Sequence, residues 1–209
     1  DQDGVLVDSE GAWDAARRAI VAEYGGRWKQ EATRAMMGMS APEWSRYVHD
    51  ELGVPLPPEE ISDRVVERLL AAYEHQLPLL PGAVDAVKRV AARWPVGLAS
   101  SANREVIDAV LAATGLAGVF GATVSGEEVA RGKPAADIYL EAARRLGADP
   151  LRSAAVEDSS NGLRAAAAAG MKVVAFPNRE FPPSEDALAL ASLVLGSLDE
   201  LTPQALERL

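Results

Sequence analysis

Ala154-Ala155-Val156-Glu157-Asp158-Ser159-Ser160-Asn161-Gly162, continued by Leu163 to Ala169 and by Val173 to Phe176, is the stretch that decides the fold. A short apolar run ends in two adjacent acids, an alanine-rich helical segment follows, and a second apolar run comes next. That succession is a βαβ unit. The same alternation extends both ways, with Val96 to Ala99, Ala122 to Val124 and Leu193 to Leu195 reading as further strands. Between them lie helical segments: one opened by Pro81-Gly82, then Asn103 to Thr114, Ala135 to Leu146 and Ser184 to Ala189. Strands that stay apolar without alternating are buried on both faces. The expected fold is therefore α/β, a doubly wound, Rossmann-like parallel sheet. Ala165 to Ala169 sits in a predicted helix, where small side chains allow close packing on the sheet.

Residues 11–77 read differently, as helices without a strand. Gly11 to Tyr24 puts Trp13, Ile20 and Tyr24 on one face and stops at Gly25-Gly26. Ser40-Ala41-Pro42-Glu43 is a Ser-x-x-Glu capping box, predicting a helix from Ala41 to about Leu52. After the break at Pro55 to Pro58, Ile61, Val65, Val66, Leu69, Leu70 and Tyr73 form a helical stripe over Glu59 to Gln76. The division expected is an α/β core of residues 1–10 and 78–209 interrupted by a helical insert over 11–77.

Composition narrows the functions open to this chain. Its 209 residues suffice for one good-sized domain or a domain with a small satellite, and 48% apolar with 25% charged residues is an ordinary globular balance. No stretch approaches the ~18 apolar residues of a bilayer span. There is no cysteine, which removes disulfides, thiolate zinc sites and cysteine nucleophiles and fits a reducing, cytoplasmic setting. Acids exceed bases by 31 to 21, a net charge of −10 without a basic patch, so no nucleic-acid partner is expected. His49 and His75 lie far apart, which disfavours a histidine-based metal site or triad.

Four segments carry chemistry. Asp1-Gln2-Asp3-Gly4 places two carboxylates two residues apart before a glycine, so both can face one substrate, one attacking and the other handling protons. A calcium loop would need glutamate at its twelfth position, where this chain has Ala12. Val96 to Asn103 is a strand ending in Ser100 and Ser101 ahead of a helix, offering a hydroxyl and free N–H groups to an oxyanion, or simply a helix cap. Arg131-Gly132-Lys133-Pro134 presents a lysine able to neutralise a phosphoryl group, or a solvated one. Glu157-Asp158 supplies hard oxygen ligands at a strand end, suited to Mg²⁺ or to capping the next helix. Such loops hang from the C-terminal ends of strands, so a strand is expected ahead of Asp1.

Taken in order, these four segments resemble the motifs of the haloacid dehalogenase superfamily over nearly the whole chain. Asp1 to Glu10, Gly132-Lys133-Pro134-Ala135-x-Asp137-Ile138-Tyr139 and Glu157-Asp158-Ser159-x-x-Gly162 are especially similar to the branch of β-phosphoglucomutase and small-metabolite phosphatases, which has a helical cap between the first two motifs. The resemblance implies a Mg²⁺-dependent phosphatase acting on a small phosphorylated metabolite through an aspartyl phosphate. Asp1 would be the nucleophile and Asp3 the general acid and base. Ser100, with Ser101, and Lys133 would hold the phosphate. The Asp1 carboxylate, the Asp3 carbonyl and Asp158 would hold Mg²⁺, with Glu157 assisting directly or through water. Asp8 would order the loop into the cap.

Two departures bear on substrate. The mutases place basic cap residues near a glycine-containing loop; here Gly38 lies among Met37, Met39, Ser40 and Ala41. Many relatives have histidine where this chain has Trp13. Trp13, Trp28 and Trp44 fall in the cap, as core packing or as a specificity surface, and Arg17, Arg18, Arg34 and Arg46 are candidates for anion contact. A phosphomutase is the nearest alternative. A non-catalytic phospho-acceptor signalling domain is a rival of another class, disfavoured by the insert and the Asp-x-Asp pair. The expected state is a monomer or weak homodimer, with no membrane partner.

Overall fold

The computed structural model describes residues 1–209. After a looped N-terminal segment come helices α1 (Glu10–Glu23), α2 (Ala32–Met36), α3 (Ala41–Asp50) and α4 (Pro58–His75). The chain then alternates: α5 (Ala83–Ala91), β1 (Gly97–Ser100), α6 (Arg104–Thr114), β2 (Ala122–Ser125), α7 (Asp137–Leu146), β3 (Ala154–Glu157), α8 (Ser160–Ala168), β4 (Lys172–Ala175), α9 (Glu185–Leu188), β5 (Leu193–Val194) and α10 (Pro203–Leu206). Every strand pairing is parallel. No helix is long and apolar enough to cross a membrane.

The strands form two ladders rather than one continuous sheet: β1 with β2, and β3, β4 and β5 in that order. Residues 1–3 lie where the ladders meet. The Asp1 backbone nitrogen donates to the Val156 carbonyl of β3 at 3.0 Å, while the Asp3 carboxylate accepts from Ser100 at the end of β1 at 3.4 Å. The C-terminal ends of β1 and β3 thus converge on the first motif, the position where α/β folds carry their chemistry.

Helices α1, α3 and α4 pack on one another. Ile61, Val65, Val66, Leu69 and Tyr73 of α4 are all buried, as the stripe requires, and Leu70 is only partly buried. The Ser40–Glu43 capping box is formed, with the Ser40 amide donating to the Glu43 carboxylate at 2.8 Å. One apolar cluster runs from this bundle through Val5, Leu6 and Val7 into β1 and α6. A second cluster joins α7 and α8 to β2, β3 and β4, and alanines dominate it. Ala165 and Ala166 are completely buried there, which the small side chain allows by letting α8 lie close to the strands. Side-chain bonds also tie the bundle to the α/β part: Ser101 donates to the Gly38 carbonyl at 3.2 Å and Asn103 to the Ser62 hydroxyl at 3.1 Å.

Candidate active site

Three loops at strand ends and one turn gather around Asp1. The Gly4 backbone has φ +71°, and a Cβ on it would fall 1.9 Å from Asp158 Oδ2, so only glycine lets the first loop press against Asp158. The same logic fixes the spacing of the last motif. A Cβ at Gly162 would fall 1.8 Å from Glu157 Oε2, so α8 can start beneath that carboxylate only with glycine there. The first turn of α8 is held by Ser159, which accepts from the Gly162 amide at 3.1 Å.

Lys133 is buried at the centre of the charge pattern. Its Nζ lies 2.9 Å from Asp1 Oδ2 and 2.5 Å from Glu157 Oε1, and donates to the Ala99 carbonyl at 3.2 Å. Tyr139 also donates to Glu157 Oε1, at 2.5 Å. Burial works against the Glu157 carboxylate, but Lys133 and Tyr139 outweigh it and hold its pKa below the usual range. Burial, reinforced by the neighbouring Glu157 charge, pushes the Asp158 carboxyl well above its usual value. Carboxylate oxygens of Asp1, Glu157 and Asp158 lie within 4.8 Å of one another. Three acids against one ammonium leave an excess of negative charge in a buried place, and a hard divalent cation fits such a donor set.

The Asp3 carboxyl group stands apart from that cluster. Ser9 donates to Oδ1 at 2.5 Å, the Trp13 indole N–H donates to the same oxygen at 3.2 Å, and Ser100 reaches Oδ2. One Asp-x-Asp pair therefore splits its carboxyl groups between two surroundings, one cationic and one made of neutral donors. Ser100 is fully buried, and its oxygen accepts from the Ala102 amide at 3.1 Å. Ser101, not Ser100, lines the open cleft. Asp8 is exposed, its amide donating to the Pro78 carbonyl where the chain re-enters the α/β part.

Above this floor is a wall built by α1 and α3. The Arg17 guanidinium sits 4.9 Å from the Trp13 ring and 5.0 Å from the Trp44 ring, which meet edge-on at 61°. Each such contact contributes about 0.5–1 kcal/mol, more when desolvated. Glu10 Oε1 lies 4.0 Å from Arg17 Nη1, too far for a hydrogen bond. Burial pushes the Glu10 carboxyl up to about 7 against the opposing pull of Arg17. Glu10 Oε1 and Arg17 Nε are buried without a partner. Both residues line the cleft with Asp1, Asp3, Asp158 and Ser101. About 50 Å³ of water-accessible space lies between this wall and the floor.

Sequence reasoning named Asp1, Asp3, Ser100, Ser101, Lys133, Glu157 and Asp158, and the structure brings all of them to this floor. It passed over Tyr139 and Ser9 as hydrogen-bond donors and did not single out Glu10. Trp13 and Trp44 are core residues, as the packing account held, but Trp13 also reaches Asp3. Of the four arginines offered for anion contact, only Arg17 enters this cleft; Arg18, Arg34 and Arg46 are exposed.

With this arrangement in view, the chain belongs to the haloacid dehalogenase-like hydrolases, whose family pattern matches residues 1–170. It is 34% identical over 212 residues to hexitol phosphatase B of Escherichia coli strain K12, covering 99% of this chain and 94% of that protein. The crystal structure of CbbY from Rhodobacter sphaeroides in complex with phosphate superposes with a TM-score of 0.86 at 28% identity, over 98% of this chain and 96% of that one. β-Phosphoglucomutase from Clostridium difficile shares the fold, with a TM-score of 0.84 at 21% identity over 99% of this chain and 93% of that one.

Proposed function

We propose that this chain is a phosphatase that hydrolyses the monoester of a small phosphorylated metabolite through an aspartyl phosphate on Asp1. The observation that carries the reading is the pair of unlike carboxyl groups two residues apart: Asp1, 2.9 Å from a buried lysine, and Asp3, ringed by neutral donors. In the first half-reaction an Asp1 oxygen attacks phosphorus, the bond from phosphorus to the ester oxygen breaks, and Asp3 gives that oxygen its proton. In the second, Asp3 takes a proton from water as the water oxygen attacks phosphorus, releasing inorganic phosphate and restoring Asp1. Lys133, beside Asp1, balances the charge of the phosphoryl oxygens, Ser101 borders them on the cleft, and Ser100, buried beneath, turns its hydroxyl from Asp3 to a phosphoryl oxygen when the ester is bound. Phosphoryl transfer asks chiefly for such positioning and charge neutralisation.

The group best suited to the acidic cluster is Mg²⁺, held by the Asp1 and Asp158 carboxylates and the Asp3 carbonyl. When bound it offsets the charge of the phosphoryl oxygens. Glu157, engaged by Lys133 and Tyr139, fixes the lysine and would assist the ion directly or through water. The phosphatase name of the Escherichia coli relative supports the same reading. A mutase would need a clamp for a second phosphate, and Arg17, the one basic residue on the cleft wall, already faces Glu10. Residues 11–77 act as the cap over a core of 1–10 and 78–209. Turnover of p-nitrophenyl phosphate with Mg²⁺, lost on chelation, is the expected result; none under either condition would overturn the proposal.

A further inference from the structure

Tyr139 has no part in the transfer of the phosphoryl group, yet its hydroxyl reaches the most deeply buried acid of the floor, donating to Glu157 Oε1 at 2.5 Å. We infer that Tyr139 is a positioning residue that sets which cation the floor accepts: by occupying one oxygen of Glu157 it leaves that acid a single oxygen to offer, which suits Mg²⁺ and disfavours the larger Ca²⁺. The inference rests on the proposed reading of the acidic cluster as the seat of Mg²⁺.

Each oxygen of a carboxylate has about two lone pairs to offer. On Glu157 Oε1 both are engaged, one by the Lys133 ammonium at 2.5 Å and the other by the Tyr139 hydroxyl. Oε2 meets only the Ser159 hydroxyl, at 3.5 Å, and is the oxygen still able to take a cation or its water. Lys133 cannot stand in for the tyrosine, because its remaining N–H groups are directed to Asp1 Oδ2 at 2.9 Å and to the Ala99 carbonyl at 3.2 Å. The hydroxyl stays a donor: burial, with the Glu157 charge beside it, pushes its pKa well above the usual value. Nor can the carboxyl group swing clear. Tyr139 is packed into the alanine-rich cluster on one side, and on the other a Cβ at Gly162 would fall 2.3 Å from Oε1 and 1.8 Å from Oε2, so the start of α8 confines both oxygens. Ion size then decides. Ca²⁺ takes about six to eight oxygens and readily grips a carboxylate by both, whereas Mg²⁺ demands a tight octahedron and keeps several waters. An acid held to one free oxygen serves the second ion and falls short for the first.

Calorimetric titration of the protein with MgCl₂ and, separately, with CaCl₂ tests this without turnover. The parent should prefer Mg²⁺. Tyr139→Phe keeps the ring in its packing and frees the second lone pair of Oε1, so the ratio of Ca²⁺ to Mg²⁺ affinity should rise about tenfold. Glu157→Gln removes the acid on which the hydroxyl acts, and adding Tyr139→Phe to it should leave the ratio where Glu157→Gln put it. Infrared difference spectra on adding each ion, assigned by the band that Glu157→Gln removes, read the same point without any change at position 139. A parent preference for Ca²⁺, an unchanged or lower ratio in Tyr139→Phe, equal weakening of both ions as a merely structural hydroxyl would give, the same rise in the Glu157→Gln background, or the narrow carboxylate splitting of a Glu157 gripped by both oxygens in the parent would overturn the inference. Binding of neither ion by the parent would instead strike the metal reading on which it rests, so the two failures are distinguishable.

Discussion

On the floor of the cleft Lys133 meets Asp1, Glu157 and the Ala99 carbonyl at once, whereas on the wall Glu10 and Arg17 stand 4.0 Å apart, each with a buried polar atom that lacks a partner. Hydrogen bonds and ion pairs within the floor hold its acids and its lysine in one geometry whatever alcohol carries the phosphate. The wall keeps hydrogen-bonding capacity in reserve. Substitutions on the floor should therefore affect every phosphate ester alike, and those on the wall should depend on the ester's other half.

The sharpest way to break that contrast is Asp1→Asn, which should cut kcat at least about 1000-fold for any phosphomonoester, read by phosphate release. A loss confined to some esters would merge floor with wall. Lys133→Met should come next. It strands Asp1 and Glu157 as buried acids without their cation and should lower stability by about 3 kcal/mol in urea denaturation without Mg²⁺. Little change would mean that the floor is not held together by this lysine.

The wall has its own signature in pH. Glu10 rises from an ordinary 4.5 to about 7, so between those values the folded state holds a proton that the unfolded state releases. Stability contributed by this residue is thus present at low pH and falls as pH rises through about 7. Glu10→Gln should stabilise the protein relative to the parent increasingly from pH 5 to pH 8, by about 3 kcal/mol at the upper end, read by urea denaturation. A constant difference would contradict the burial of that carboxyl. Smallest is Trp13→Phe, which keeps a ring beside Arg17 but removes the N–H from Asp3; kcat should fall about threefold to tenfold.

The floor was legible in the sequence because its residues sit at strand ends, where an apolar run followed by acids, a hydroxyl or Gly-Lys-Pro marks both the element and the direction of the side chains. Gly4 and Gly162 belong to the same legible pattern, and the close approaches of Asp158 and Glu157 give their physical reason. The wall was not legible. Arg17 and Arg18 are neighbours in one helix, yet Arg18 is exposed and bonds Asp14 at 2.5 Å, while Arg17 turns inward because Trp44 arrives from α3. No local pattern announces that meeting. The helix at Ala32–Met36 was missed because one turn and a half shows neither a periodic stripe nor a capping side chain. The turn of residues 1–7, with the Gln2 carbonyl accepting from Val5, Leu6 and Val7, is not specified by the motif alone.

Acid quenching during turnover of p-nitrophenyl phosphate, followed by borohydride reduction and mass spectrometry of the peptide bearing Asp1 and Asp3, tests the proposed chemistry most directly. An acyl phosphate at Asp1 would be reduced to homoserine at that position alone. Reduction at Asp3, or steady turnover with neither residue converted, would contradict the assignment of Asp1 as the group that takes the phosphoryl.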